Sequence, residues 1–140
     1  MIKIKGINLP NDLIILFSTP FRVFKWRRKA NKIGFAKILK SIERIEKGKS
    51  PDEQQLKRLY RHHKITMAYL NKIMKDPNPC LITSLILQEE CKKWNIKATL
   101  VIGADKKDNS IIGHSWVEVN KKAINENDDQ LKKYVRMTEI

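Results

Sequence analysis

Cys80, His114 and Glu126 are the residues of this 140-residue chain whose types and order could carry covalent chemistry. Cys80 follows Asn78-Pro79 and opens an apolar run that reads as a helix to Trp94. A thiol at a helix N-terminus faces unbonded amides and the positive end of the macrodipole, and both stabilise a thiolate. The Cys80 backbone amide is placed there to stabilise an oxyanion in acyl transfer. Taken singly, a cysteine is more often a small buried hydrophobe. His114 lies in the strand-like run Gly113-His-Ser-Trp-Val-Glu-Val119. A lone strand histidine is usually structural, but a neutral imidazole is what a thiol needs to lose its proton. Trp116 is placed to shield the pair from water, although a core role is the plainer reading. Glu126, twelve residues after His114, would orient the imidazole. A three-residue loop at Val119 to Lys121 sets Glu126 across from His114 on one face of the hairpin. A loop one residue later sets Asp128 there. Glu126 is favoured, and Asp128 stays open as the alternative acid.

The elements that must hold these groups follow from periodicity and turn chemistry. An extended or irregular arm is expected over residues 1–9. Leu9-Pro10-Asn11-Asp12 starts a helix that Pro20 ends or restarts. A second helix runs from about Asn31, with Ile33, Ile38, Ile42 and Ile45 on its stripe, to a stop at Gly48. Ser50-Pro51-Asp52-Glu53 predicts a third start, with Ser50 as cap and Glu53 completing a capping box. That helix shows Leu56, Leu59/Tyr60, His63, Met67, Leu70 and Ile73/Met74 on one face and ends near Lys75. The two prolines of Asp76-Pro-Asn-Pro79 force a non-helical connection. After the Cys80 helix come strands over Thr99 to Gly103 and Ile111 to Val119, joined by the polar loop Asp105 to Ser110. A short third strand over Ala123 to Glu126 completes an antiparallel meander, and Asp128 to Ile140 forms a helical turn or two. The expected class is α+β: a basic helical segment over residues 1–76, then a core over residues 77–140, together one compact domain.

Composition bounds the function. With 41% hydrophobic and 31% charged residues and only five glycines and five prolines, the chain is globular. A net charge of +14 sets up a strong field for an acidic partner. The excess is lopsided. Residues 1–79 hold 19 Lys plus Arg against 6 Asp plus Glu, whereas residues 80–140 hold 10 against 9. Chemistry is therefore expected at the C-terminal end and electrostatic attraction at the N-terminal end. The apolar run Leu13 to Phe17 is too short for a signal peptide or a membrane span. Cys80 and Cys91 would lie about 16 Å apart along one helix, beyond the ~7 Å limit for a disulfide. Free thiols suit a reducing cytoplasm.

Pro79-Cys80-Leu81, Ser84-Leu85, Lys97-Ala-Thr-Leu-Val-Ile-Gly103, His114-Ser-Trp-Val-Glu-Val119 and Asn125-Glu126 together resemble the lasso-peptide leader peptidases of the transglutaminase-like superfamily. The resemblance implies a papain/transglutaminase-like core, in which a helix carrying Cys80 at its N-terminus packs on a small antiparallel sheet. It also implies Cys80 as nucleophile, His114 as base and Glu126 as orienting acid. Ser115 stands where relatives often have Ala, and Glu126 where they often have Asp. The implied reaction removes the leader from a ribosomally made precursor peptide. The implied partners are that leader, a separate leader-binding protein and an ATP-dependent macrolactam cyclase, with no cofactor and no metal. The N-terminal half shares little beyond length and helical character. A transglutaminase-type acyl transferase would use the same triad with an amine in place of water. A third reading is a non-enzymatic basic helical module for nucleic acid or anionic membrane. Nucleic acid fits poorly because no recognised module is legible. Transient membrane contact suits the aromatic residues from Phe17 to Trp26 near the charges. The working expectation is that this basic surface docks the leader or its binding protein.

Overall fold

Apolar residues at Ile15, Val23 and Trp26 set the buried face of the first helix, α1, which runs from Leu9 to Ile33 in the computed structural model. The structure describes residues 9–42, 48–76, 79–107, 110–124, 126 and 128–139. The arm expected at the start lies outside them except for Leu9, as does Ile45. Pro20 neither ends nor restarts α1. An interior proline costs about 3 kcal/mol, but burying Val23 alone is worth about 1.5–3 kcal/mol, and Trp26 beyond it is buried too. The hydroxyls of Ser18 and Thr19 turn back onto the Ile15 carbonyl, at 3.1 and 2.6 Å. The helix expected from Asn31 onward is instead split at Gly34, whose φ of 81° lies outside helical space. The shorter α2, Phe35–Ser41, then drops Ile38 into the core.

Helix α3, Glu53–Ala68, starts two residues later than the Ser50 cap predicts. Asp52 is the cap: its carboxylate accepts from the Gln55 amide at 2.7 Å, and the Gln55 side chain accepts from the Asp52 amide at 3.1 Å. The sequence offers two capping boxes three residues wide, and the one with the anionic cap wins. Ser50 bonds the Asn120 side chain instead. The buried face of α3 is Leu59, His62, Ile65 and Thr66, rotated from the expected stripe, and Tyr60, Ile73 and Met74 are exposed. A π-helical turn, Tyr69–Met74, continues α3 and puts Leu70 in the core. Lys75 closes it in the left-handed conformation, with the Asp76 amide on the Leu70 carbonyl at 2.9 Å.

Helix α4, Pro79–Lys93, is buried along the run from Ile82 to Gln88 without a free face, as expected of a helix at the centre of a molecule. It packs against α1, α3 and the sheet. Arg22 of α1 fastens it, donating to Glu90 at 2.7 Å, Glu89 at 3.0 Å and the Ile86 carbonyl at 3.3 Å. Trp94 donates to Glu90 at 3.0 Å, and His62 Nε2 lies 3.4 Å from the same carboxylate. Lys25 pairs with Glu89 at the surface.

The sheet has β1 (Thr99–Lys107), β2 (Ser110–Val119), β3 (Lys122–Ala123) and β4 (Val135–Glu139), in the order β3-β2-β1-β4, all antiparallel. The β1–β2 ladder extends through Asp105↔Ile112 to Lys107↔Ser110, into the stretch whose polarity predicts a loop. Paired backbone decides over composition there. The expected helical tail is a single turn, α5 (Asp128–Leu131), followed by β4, which pairs with β1. The architecture is α+β, helices first and a small sheet after. Among the described residues no helix is long and apolar enough to cross a membrane.

Arg22→Ala would strand the buried Glu90 carboxylate and should lower the unfolding free energy by about 3–5 kcal/mol. Lys25→Ala, whose ammonium is largely in solvent, should cost less than about 1 kcal/mol. Urea midpoints measure both, and equal losses would remove Arg22 as the fastener of α4.

Candidate active site

Cys80 is the second residue of α4 and is half-buried. Its position in the first turn leaves its amide without an intrahelical acceptor. Ser84, one turn on, donates to the Cys80 carbonyl at 2.7 Å and lies 3.3 Å from the Ser115 hydroxyl of β2. That pair ties the first turn of α4 to the middle of β2. The His114 side chain and the Ser115 amide and hydroxyl are near enough to the Cys80 thiol to lower its pKa. Ser115 thus lies beside the thiol and, through Ser84, beside the first turn of α4.

His114 Nε2 lies 2.8 and 3.1 Å from the two Glu126 carboxylate oxygens. An imidazole nitrogen against a carboxylate carries its proton, so Nε2–H donates to Glu126 and Nδ1 is left for the sulfur. The three residues meet, but not by the expected route. Asn120 and Lys121, at φ 54° and 63°, form a two-residue turn with the pairs Glu118↔Ala123 and Val119↔Lys122. Two successive positive φ values are the mark of a type I′ hairpin. That register continues only to the Ile124 amide on the Val117 carbonyl at 2.9 Å. Carried further it would set Glu126 opposite Ser115, so the chain must leave the ladder for Glu126 to reach His114. The third strand is correspondingly shorter than expected. Asp128 opens α5, and its side chain lies outside the described residues.

Aromatic rings wall the imidazole. Tyr134 stacks at 5.1 Å between centroids and Trp116 at 5.7 Å. Gly103, paired with His114 across the β1–β2 ladder, makes room for them. A Cβ there would lie 2.8 Å from Tyr134 Cβ and 3.0 Å from the Trp116 ring. His63 of α3 is the other titratable neighbour. Its burial lowers its pKa, and it feels the Glu126 carboxylate and the His114 ring. Tyr134 and His63 carried no signal in the sequence, because only the fold brings the tail and α3 to β2.

The electrostatics favour an ion pair. Burial pushes the Cys80 thiol up, but hydrogen bonds from His114 and Ser115 outweigh it and hold the pKa below the ordinary thiol value. His114 is raised to about 9, first by its bond to Cys80 and then by Glu126, against the opposing effect of burial. Cys91 is the contrast: burial and the neighbouring Glu90 push it up to about 12. The arrangement therefore lowers the cost of placing a thiolate beside an imidazolium. That pair can attack an acyl carbon and then protonate a leaving group. Among the described residues no group of three or more His, Cys, Asp or Glu side chains is placed to hold a metal ion.

The described site sets a thiol at a helix start, an imidazole on the adjacent strand and a carboxylate behind it, in an α+β frame. The chain belongs to the transglutaminase-like superfamily, whose profile matches residues 21–139. No curated protein and no solved structure matches it. The superfamily includes cysteine peptidases and transglutaminases, so the activity is of the cysteine protease or acyltransferase type.

Iodoacetamide should alkylate Cys80 near neutral pH and leave Cys91 unmodified in the folded chain, as read by peptide mass mapping. Glu126→Gln removes the charge that favours the imidazolium. The His114 pKa then falls, the thiolate loses its counter-ion, and the alkylation midpoint of Cys80 moves to higher pH. A midpoint that stays in place would detach Glu126 from the pair.

Proposed function

We propose that the protein is a cysteine peptidase that removes the leader from a ribosomally synthesised lasso precursor peptide, with Cys80 as nucleophile, His114 as base and acid, and Glu126 as orienting acid. The Cys80 thiolate attacks the carbonyl of the leader–core bond, and the Cys80 amide donates to the oxyanion. The His114 imidazolium gives its proton to the departing core amine, leaving the leader as a thioester on Cys80. Neutral His114 then takes a proton from water, which hydrolyses the thioester and frees the thiolate. Glu126 keeps the ring in one tautomer and stabilises its charged form.

The observation that carries this reading is the 2.8 Å contact between His114 and Glu126, with His114 lowering the pKa of the nearby Cys80 thiol. The leader-peptidase form rests on the resemblance of Pro79-Cys80-Leu81, His114-Ser-Trp-Val-Glu-Val119 and Asn125-Glu126 to that family. On this reading a separate leader-binding protein presents the precursor in the cytoplasm, and an ATP-dependent cyclase takes the freed core amine. Superfamily membership also favours a second reading, in which an amine resolves the thioester and the same triad makes an isopeptide bond.

Precursor peptide incubated with the enzyme and the leader-binding protein, and followed by mass spectrometry, tests both readings. Hydrolysis yields leader and core whose masses together exceed the precursor by one water, whereas amine transfer adds none. Cys80→Ala and His114→Ala should each reduce the rate by about 10³-fold or more, and Glu126→Gln by roughly 10²–10⁴-fold. Undiminished cleavage by Cys80→Ala would sink the proposal.

A further inference from the structure

The outward face of α1 carries apolar side chains that the fold does not use. Ile14, Phe17, Phe21 and Phe24 recur at helical spacing and are 71, 71, 77 and 65% exposed. They point directly away from Ile15, Val23 and Trp26, which bind the same helix to the core. Three exposed phenylalanines along one helix are far from the scattered single residues of an ordinary surface. Along the same line, one to three turns further on, come the exposed cations Arg28 and Lys32, whereas the Lys29 ammonium sits over the Trp26 ring. The acid that α1 contains, Asp12, is 1% exposed, so no exposed acid among the described residues of α1 offsets them. The cations spent internally are others: Arg22 and Lys25 pair with Glu89 and Glu90, and Arg27 with Asp76.

We propose that the outward face of α1 docks on an anionic phospholipid surface, with Phe17, Phe21 and Phe24 seated at the level of the acyl-chain boundary and Arg28 and Lys32 on the lipid phosphates. Charge complementarity selects an anionic surface, because the face joins apolar anchors to uncompensated cations. Its flanks, Leu16, Ser18, Pro20 and Arg22, are already half-buried by the body of the protein. A line of side chains projects beyond them, and at its far end Phe24, Arg28 and Lys32 also border a cleft toward Tyr69 and Met74. The helix then lies along the surface and does not span it, and membrane binding is independent of the chemistry at Cys80.

Sedimentation of the full chain with vesicles tests this. Vesicles of equal parts phosphatidylglycerol and phosphatidylcholine should bind the protein about tenfold or more better than pure phosphatidylcholine, and added salt should weaken that preference. The triple change Phe17→Ser, Phe21→Ser and Phe24→Ser should lower binding about tenfold or more with the circular-dichroism melt unchanged, since all three side chains are in solvent. Arg28→Glu with Lys32→Glu should abolish the preference for the anionic vesicles. The proposal is overturned if the triple variant sediments like the parent, or if the parent binds both vesicle types alike or neither. It is equally overturned if the face proves to be covered by a second copy, seen as a dimer that the triple change dissolves and that does not bind vesicles.

Discussion

The angular setting of α4 is the constraint on which the rest of the structure depends. A helix carries its first-turn side chains in fixed directions, so one rotation about its axis decides whether the Cys80 sulfur meets β2 or solvent. Burial along the run from Ile82 to Gln88 and the Arg22–Glu90–His62 cluster hold that rotation from the side of α1 and α3. The Ser84–Ser115 contact holds it from the side of the sheet. The N-terminal helices are thus a clamp for the thiol, and the core residues they supply, Val23, Trp26 and Leu59, pack against the same helix that bears Cys80.

On the sheet side, the geometry of His114 is set by what surrounds the ring more than by its own strand. Glu126 takes Nε2, the rings of Tyr134 and Trp116 limit its tilt, and the missing side chain at Gly103 lets those rings close in. The imidazole is placed by a carboxylate from beyond β3, an aromatic ring from just before β4 and a gap in β1. A site assembled from four separate stretches tolerates little slip in any of them, since misplacement by about 1 Å costs catalysis heavily.

The order of residues made the thiol, the imidazole and the carboxylate legible, because a cysteine after Asn-Pro at the head of an apolar run and a histidine within a β-branched run are local patterns. Their meeting was not. The parity argument from a three-residue loop led to Glu126, whereas the turn is Asn120-Lys121 and Glu126 reaches His114 only after the chain departs from the ladder. Asparagine tolerates the left-handed conformation better than other non-glycine residues, and that was the available signal. Strand β4 was hidden because Val135-Arg-Met-Thr-Glu139 is short and half polar, as edge strands tend to be. Helix α1 passed through Pro20 because long-range burial outweighed a local penalty, and no window of sequence around the proline contains that term.

The two halves of the charge distribution do different work. The pKa of Cys80 is governed by its burial, by His114 and by Ser115, all within contact distance. Exposed cations act through water that screens them over about 8 Å at physiological salt, so the lysines and arginines at the far end of α1 are poor candidates for activating the thiol. Those that matter to the fold, Arg22 above all, are neutralised internally against Glu89 and Glu90. Arg28 and Lys32 stand on the outward face of α1 with three exposed phenylalanines. A protein that needed the charge only for solubility would have no use for aromatic anchors beside it, because exposed aromatic residues lower solubility. The pairing of the two on one helix is what a face that meets something both negative and apolar would need, and the groups that lower the Cys80 pKa lie elsewhere.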